Sequence, residues 1–163
     1  MGNWPTNYGS EGFIMPSYFY GRDCQALPDY VCAVDYGRFA NRQFALWNKS
    51  TPSSLLTSPI SYCARYLGAL ETSGSDSLTL YVNDSRPHQL ALYVCDFDKA
   101  GREESIEVQD LQGRTLAPPC TVNDFAQGKW LRFKFSGSIQ VRLANRNSNS
   151  TAVLSALMFD KVP

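Results

Sequence analysis

The segment "HQLALYVCDFD", residues 88–98, is the feature that most limits how this chain can fold. Side chains alternate between two faces of an extended strand, so Leu90 and Leu92 share one face while Ala91 and Tyr93 share the other. Both faces are apolar, which is typical of a central strand that is covered on both sides. The fold must therefore place a layer on each side of this strand.

Other segments alternate between apolar and polar residues, among them "SLTLYVND", "ESIEVQDL" and "SIQVRLAN". Turn-forming segments such as "NDSRP", "LQGR" and "NRNSNS" separate them. Roughly nine or ten short strands at such spacing predict an all-β fold, an antiparallel β-sandwich. The segment "SYCARYLGALE" also alternates and predicts a strand rather than a helix, whereas residues 1–60 predict long ordered loops around short strands.

Length and charge limit the class of protein. A chain of 163 residues favours one domain, which we expect to span residues 1–163. Fifteen basic residues balance fifteen acidic ones, so we expect no nucleic-acid partner. No apolar run approaches the roughly 20 residues of a membrane helix, so we expect no membrane partner. The turn-rich start "GNWPTNYGSEG" lacks signal-peptide features and predicts a domain excised from a larger protein.

The loop after the central strand has the spacing of a calcium-binding loop. Asp96, Asp98 and Gly101 would occupy its first, third and sixth positions, and Glu107 its twelfth. A helical calcium loop needs helices on both sides, and the flanks here are predicted strands. We therefore predict a hairpin tip in which Gly101 has a positive φ and the two aspartates cap the turn. We expect no cofactor; the alternative is a structural calcium ion held by other loop carboxylates and carbonyls.

The five cysteines form no C-x-x-C pair, which argues against zinc and thioredoxin-like chemistry. Their odd number leaves at least one thiol free or paired with another chain. Cys95 lies in an apolar strand and is predicted to be a small buried side chain. The sequence leaves open the disulfide pairing among Cys24, Cys32, Cys63, Cys95 and Cys120.

His88 is the only histidine, and it lies at the start of a predicted strand. It could act as a general base, or it could be a turn residue or a donor at the strand edge. No G-x-S-x-G motif supplies a nucleophile for a catalytic triad. Carboxylates are plentiful enough for a two-carboxylate glycosidase mechanism, but they cluster in turns and on polar strand faces. We predict that the chain is not an enzyme.

Several motifs together are similar to a known module. They include "GNWPTNYGSEGFIMP", "LPDYV", "HQLALYVCDFDKAGREESIEVQDLQGRTL", "SGSIQVRL" and "AVLSALMF". From Gly2 to Phe159 the chain resembles the β-sandwich accessory module of secreted bacterial glycoside hydrolases. This resemblance implies a galactose-binding-like jelly roll and a carbohydrate-binding role. The segment "NKSTPSSLLTSP" departs from it, because it lacks the Asp and Arg of the family's "D-x-R-A-L" stretch.

Sugars are held by aromatic rings against their C–H faces and by polar side chains that bond to their hydroxyls. The N-terminal third is rich in both, and "SYFYGRD" has three consecutive aromatic residues that cannot all face one core in an extended segment. We predict that Trp4 and Trp130 belong to the core. Asp98 and Arg102 are either a second binding pair or part of the turn. The predicted ligand-binding residues are Tyr8, Tyr18, Phe19, Tyr20, Arg22 and Trp47.

The sequence therefore predicts a non-catalytic carbohydrate-binding module that positions a larger exported protein on a glycan. Its partners would be an oligo- or polysaccharide and the neighbouring domains of that protein, outside the cell. The alternative is a structural or protein-interaction sandwich that packs beside a catalytic domain and binds no sugar. Exposed aromatics on a flat patch without a cleft would favour the alternative.

Overall fold

Antiparallel strands dominate the part of the chain that the structure describes. This computed structural model describes residues 4–19, 21–39, 41–47, 53–60 and 65–162, with the backbone alone for 41–47. No helix among these residues is long and apolar enough to cross a membrane. The strands are β1 (Gly12–Phe19), β2 (Arg22–Ala26), β3 (Val31–Asp35), β4 (Asn41–Trp47), β5 (Leu56–Thr57), β6 (Arg65–Thr72), β7 (Ser75–Val82), β8 (Pro87–Val94), β9 (Glu103–Asp110), β10 (Thr115–Asn123), β11 (Lys129–Ser136), β12 (Ile139–Asn145), β13 (Ala152–Leu154) and β14 (Ala156–Asp160).

Two five-stranded sheets and one smaller sheet form the fold. Sheet I has the order β11-β8-β14-β1-β2 and sheet II the order β10-β9-β12-β7-β3. Sheet III has the order β13-β6-β4, with β5 also paired to β6. From β7 to β12 most successive strands alternate between sheets I and II, as in a jelly roll. The predicted antiparallel β-sandwich is confirmed, with fourteen described strands where about nine or ten were expected.

Strand β8 is covered on both sides, as its sequence predicts. Leu90 and Leu92 lie in the core between sheets I and II. Ala91 and Tyr93, on the opposite face of β8, belong to a second core. Trp4 lies in this second core at 5% exposure, and its Nε1 donates a hydrogen bond to the Thr57 carbonyl at 2.8 Å. The prediction of Trp4 as a core residue is therefore confirmed.

The N-terminal third is richer in strands than its sequence predicts. Strand β1 runs for eight residues, and both Ile14 and Met15 are fully buried. Gly68 of β6 lies so close to β1 that a Cβ there would be 2.2 Å from the Pro16 carbonyl oxygen. Because β1 is covered on both faces, its sequence carries no alternation. The prediction of long loops over this region was wrong for that reason.

The loop from Cys95 to Arg102 is not the tip of a hairpin. It joins β8 of sheet I to β9 of sheet II, so the two strands do not pair with each other. The predicted turn chemistry is nevertheless confirmed for Gly101, whose φ is 71°, and for Asp96, whose carboxylate accepts the backbone N–H groups of Ala100 and Gly101. The hairpin prediction failed because a turn motif does not reveal which sheet its second strand enters.

The described cysteines are free thiols. Cys95 is buried at the end of β8, as predicted, and burial raises the pKa of its thiol to about 11. Cys63 lies outside the described residues. The other free thiols are those of Cys24, Cys32 and Cys120.

Glu104 brings a carboxyl group into the core near the start of β9. The side chain is fully buried, and its Oε2 accepts the Val153 N–H at 2.7 Å. Its Oε1 has no hydrogen-bond partner among the described residues. Burial raises the pKa of Glu104 from 4.5 to about 8. The carboxyl group is therefore mostly protonated at neutral pH.

We expect the Glu104→Gln variant to have a stability that depends less on pH. From about pH 4.5 to about pH 8, the folded protein keeps a proton that the unfolded chain has released. The free energy of unfolding of the wild type therefore falls as pH rises through this window. Glutamine does not ionise, so the variant should gain stability relative to the wild type across the window and no further above it. Urea melts at a series of pH values measure this difference, and parallel pH profiles for the two proteins would contradict it.

Candidate functional site

Tyr18 belongs to the second core, so its prediction as a ligand-binding residue was wrong. Its side chain is fully buried, and its hydroxyl donates a hydrogen bond to the Leu56 carbonyl at 2.9 Å. Its ring makes edge contacts with Phe19 and Tyr66. The backbone of β1 shifts register between Met15 and Phe19, so simple alternation does not place this ring.

The other predicted ligand-binding residues do not form one platform. Tyr8 stacks on Trp130 of β11 at 4.0 Å between ring centroids, and the Arg132 guanidinium lies 4.8 Å from the Tyr8 ring centroid. Arg22 is exposed on β2, where it pairs in register with the partly buried Phe19. Strands β11 and β2 are the opposite edges of sheet I. The prediction of Trp130 as core holds only in part, because its ring is partly exposed. Tyr20 and the Trp47 side chain lie outside the described residues.

The outer face of sheet II carries a different set of polar side chains. On β7 the inward-facing Leu78 and Leu80 are fully buried, which turns the alternate residues Ser77 and Thr79 toward the other face. Arg142 of β12 is exposed on this face. The outward residues of the three central strands include Ser75, Ser77, Thr79, Tyr81, Glu107, Gln109, Gln140 and Arg142.

Cross-strand pairing arranges these side chains in rows. Arg142 pairs with Ser77 on one neighbouring strand and with Glu107 on the other. Gln140 pairs with Thr79 and Gln109 in the same way. Neighbouring strands lie about 4.8 Å apart, so each row repeats hydrogen-bonding groups at that interval.

Two adjoining depressions lie on this face, and we call them together the polar trough. One has a volume of about 400 Å³ and is bordered by Asp35, Arg38 and Gln140. The other has a volume of about 460 Å³ and is bordered by Glu107 and Arg146, among others. Both are also lined by Ser75 and Arg142. Arg142 therefore stands at the junction of the two depressions.

Hydrogen bonds hold the charged groups of the polar trough in place. Arg142 donates from Nε to the Ser75 hydroxyl at 2.9 Å. The Thr115 hydroxyl donates to the Glu107 carboxylate, and this hydrogen bond lowers the pKa of Glu107. The trough therefore offers fixed guanidinium donors beside a fixed carboxylate acceptor.

A second cavity, the end pocket, lies between the loop after β8 and the loop before β11. It has a volume of about 600 Å³, and its rim includes Lys99 and Asp124, whose φ angles of 56° and 49° are unusual for residues other than glycine. The side chain of Arg102 is only 3% exposed and bonds to Asp96 and Asp98. The Asp98–Arg102 pair is therefore part of the turn, and its guanidinium is closed to a ligand. For this reason we favour the polar trough as the candidate site, although the end pocket is larger.

His88 is buried and held by its neighbours. Its Nε2 hydrogen-bonds to the Asp84 carboxylate at 2.7 Å, and its ring stacks on Tyr30 at 3.7 Å between centroids. Asp84 also accepts from the Arg86 guanidinium at 2.8 Å. These contacts fit the interpretation of His88 as a structural residue at the start of a strand, where it fixes the loop between β7 and β8.

Sequence reasoning missed the polar trough, although its signal was present. The outward polar residues of β7, β9 and β12 are visible in the alternating segments "SLTLYVND", "ESIEVQDL" and "SIQVRLAN". What the sequence does not reveal is that these three strands are neighbours in the order β9-β12-β7. Only this order brings Ser77, Arg142 and Glu107 into one row.

No protein-family model matches the chain, and no curated protein matches it in sequence. Solved structures with a similar fold include TmCBM61, a carbohydrate-binding module in complex with β-1,4-galactotriose, at 14% identity and a TM-score of 0.47 over 80% of this chain and 88% of that one. A family 35 carbohydrate-binding module from Clostridium thermocellum has 12% identity and a TM-score of 0.40 over 80% of this chain and 100% of that one. An exo-β-1,3-galactanase from Phanerochaete chrysosporium has 12% identity and a TM-score of 0.41, and the match covers 84% of this chain and 30% of that one.

We expect the Tyr18→Phe variant to be less stable than the wild type, although its solvent-exposed surface is unchanged because Tyr18 is fully buried. The Leu56 carbonyl would lose its buried donor, which should lower the free energy of unfolding by about 2 kcal/mol. The matched control is Arg22→Ala, an exposed residue at the start of the neighbouring strand β2, which should change stability by less than about 0.5 kcal/mol. Urea melts compare the two. A Tyr18→Phe protein as stable as the wild type would show that the hydroxyl is not held in the core.

Proposed function

We propose that this chain is a non-catalytic carbohydrate-binding module and that its polar trough holds an extended glycan. The rows of fixed hydrogen-bonding side chains across sheet II are the observation that carries the proposal. A sugar hydroxyl both donates and accepts hydrogen bonds. A row that sets the Arg142 guanidinium beside the Glu107 carboxylate therefore offers both kinds of partner to neighbouring hydroxyls.

The shape of the trough supports a chain rather than a small ligand. Its two depressions are continuous through Ser75 and Arg142, and both lie open on a sheet face. Tyr81, on the same face of β7, is 39% exposed and can stack on the C–H side of a sugar ring. We infer binding to the middle of an oligo- or polysaccharide, with the protein's own side chains as the donors and no cofactor.

The surroundings of the histidine and of the carboxylates in the trough support a role without catalysis. His88, the only histidine, is buried against Tyr30 and Asp84 and lies on sheet I, away from the trough on sheet II. The carboxylates in the trough are engaged by neighbours, as Asp76 is by the Thr72 hydroxyl at 2.8 Å. The module would position a larger exported protein on its glycan, beside the neighbouring domains of that protein.

We expect Arg142→Ala to weaken glycan binding about tenfold or more, because it removes charge-assisted hydrogen bonds at the centre of the trough. The wild type is first screened on a glycan array and on insoluble polysaccharides, and the variants are then titrated with the best ligand. The matched control is Arg132→Ala, an exposed arginine on sheet I that bonds to Tyr8. This control should bind like the wild type.

Two other outcomes would each overturn part of the proposal. If Arg132→Ala or Tyr8→Ala abolished binding while Arg142→Ala did not, the site would be the aromatic cluster on β11 instead of the trough. If the folded protein bound no glycan, the module would be a structural or protein-interaction sandwich. Exposed apolar residues such as Leu111 and Leu116, at 43% and 42% exposure, would then be the first contacts to test.

A further inference from the structure

One half of the polar trough has an arginine at each end. In the depression of about 460 Å³, Ala144 of β12 pairs with Ser75 of β7 and with Ser105 of β9, and all three line the depression. Arg142 comes two residues before Ala144 and Arg146 two residues after it, so they share the outward face of β12. Along an extended strand the two arginines are about 13 Å apart. Small side chains therefore form the floor of the depression between them.

The backbone of Arg146 is held in place, although the residue itself is exposed. Its N–H donates to the Glu103 carbonyl at 2.8 Å, which continues the pairing of β12 with β9 by one residue. The side-chain amide of Asn145 donates to the carbonyls of Asn147 and Ser150, both at 2.9 Å, and so fixes the turn after β12. Because the arginine is presented from a fixed segment, less entropy is lost when it binds a ligand.

The two arginines differ in the acidic residues that lie beside them. Arg142 pairs across the strands with Glu107, which lines the same depression. The residue beside Arg146 on β9 is Glu103, which lines the end pocket. Within the described chain, the arginines that form ion pairs with carboxylates are Arg86, Arg102 and Arg114. The guanidinium of Arg146 is therefore available to an anion from outside the protein.

We propose that the glycan held in the trough is acidic, and that Arg146 binds the carboxylate of a uronic acid unit placed between Arg142 and Arg146. A planar guanidinium donates two parallel hydrogen bonds to a carboxylate, and this geometry suits a carboxylate group better than a point charge does. Arg142 and the Ser75 hydroxyl bond to the hydroxyls of the same or the next sugar unit. The inference names the ligand class of the trough and so rests on the proposed function.

The test measures binding to pairs of polysaccharides that differ in charge alone. Polygalacturonate and alginate are each compared with their carboxyl-reduced forms, in which every carboxylate has become a hydroxymethyl group. The titrations are run in EDTA, so that divalent cations do not cross-link the acidic chains. We expect the wild type to bind at least one acidic polymer about tenfold or more tightly than its reduced form. Dextran sulfate, which carries sulfate in place of carboxylate, should bind more weakly than that polymer.

Variants of Arg146 test whether this residue is the source of the preference. Arg146→Ala should bind the acidic polymer about tenfold more weakly and the reduced form as the wild type does. Arg146→Lys keeps the charge without the planar guanidinium, so it should keep only part of the preference. The matched control Arg132→Ala removes the same charge from the exposed surface of sheet I and should bind both forms like the wild type. Both positions are exposed, so thermal unfolding should show all variants folded.

The outcomes separate this inference from the proposed function. If the wild type binds a glycan but does not prefer the acidic form, the inference is overturned and the proposed function stands. The same holds if Arg146→Ala weakens both forms equally or neither, or if Arg132→Ala loses as much affinity as Arg146→Ala. Dextran sulfate that binds as tightly as the uronic acid polymers would show selection for charge alone and overturn the carboxylate assignment. If the folded wild type binds no polysaccharide, both proposals fail.

Discussion

The structure depends on the burial of β8 from both sides. One face of this strand closes the core between sheets I and II, and its other face closes a second core that contains Trp4 and Tyr18. A shift of β8 by one residue would exchange the two faces, and Leu90 would leave one core as Ala91 entered it. Because β8 pairs with both β11 and β14, its position also fixes the register of these two strands in sheet I. Because both cores share one strand, sheet II needs to bury only its inner face, and its outer face remains available for polar side chains.

Two arginines show how surroundings decide what one residue type does. Arg102 is buried and bonded to Asp96 and Asp98, so its charge stabilises a loop and is closed to solvent. Arg142 is exposed, donates from Nε to Ser75 and lines both depressions of the polar trough. Burial and pairing, rather than residue type, separate the structural charge from the one that a ligand can reach.

Much of the fold could be predicted from alternation, but the site could not. Strands β7, β9 and β12 each face the core on one side only, so their sequences carry the period of a half-buried strand. Strand β1 is covered on both faces, and its consecutive buried residues Ile14 and Met15 hide that period. The aromatic run led to Tyr18 because composition suggests a binding residue, whereas packing against Leu56 makes it core. The polar trough needs the order of strands in sheet II, which depends on pairing between distant segments that no local motif records.

The pairing of β1 with β14 has a consequence for how such a module can be joined to other polypeptide. Gly12 lies opposite Phe159 in sheet I, so the first and last strands of the described chain run side by side. Any polypeptide that continues from either end would depart from this one layer. The trough lies on the opposite layer, on the outward side of sheet II. A covalent attachment at β1 or β14 would therefore begin on sheet I and leave the sheet that carries the polar trough uncovered at the point of attachment.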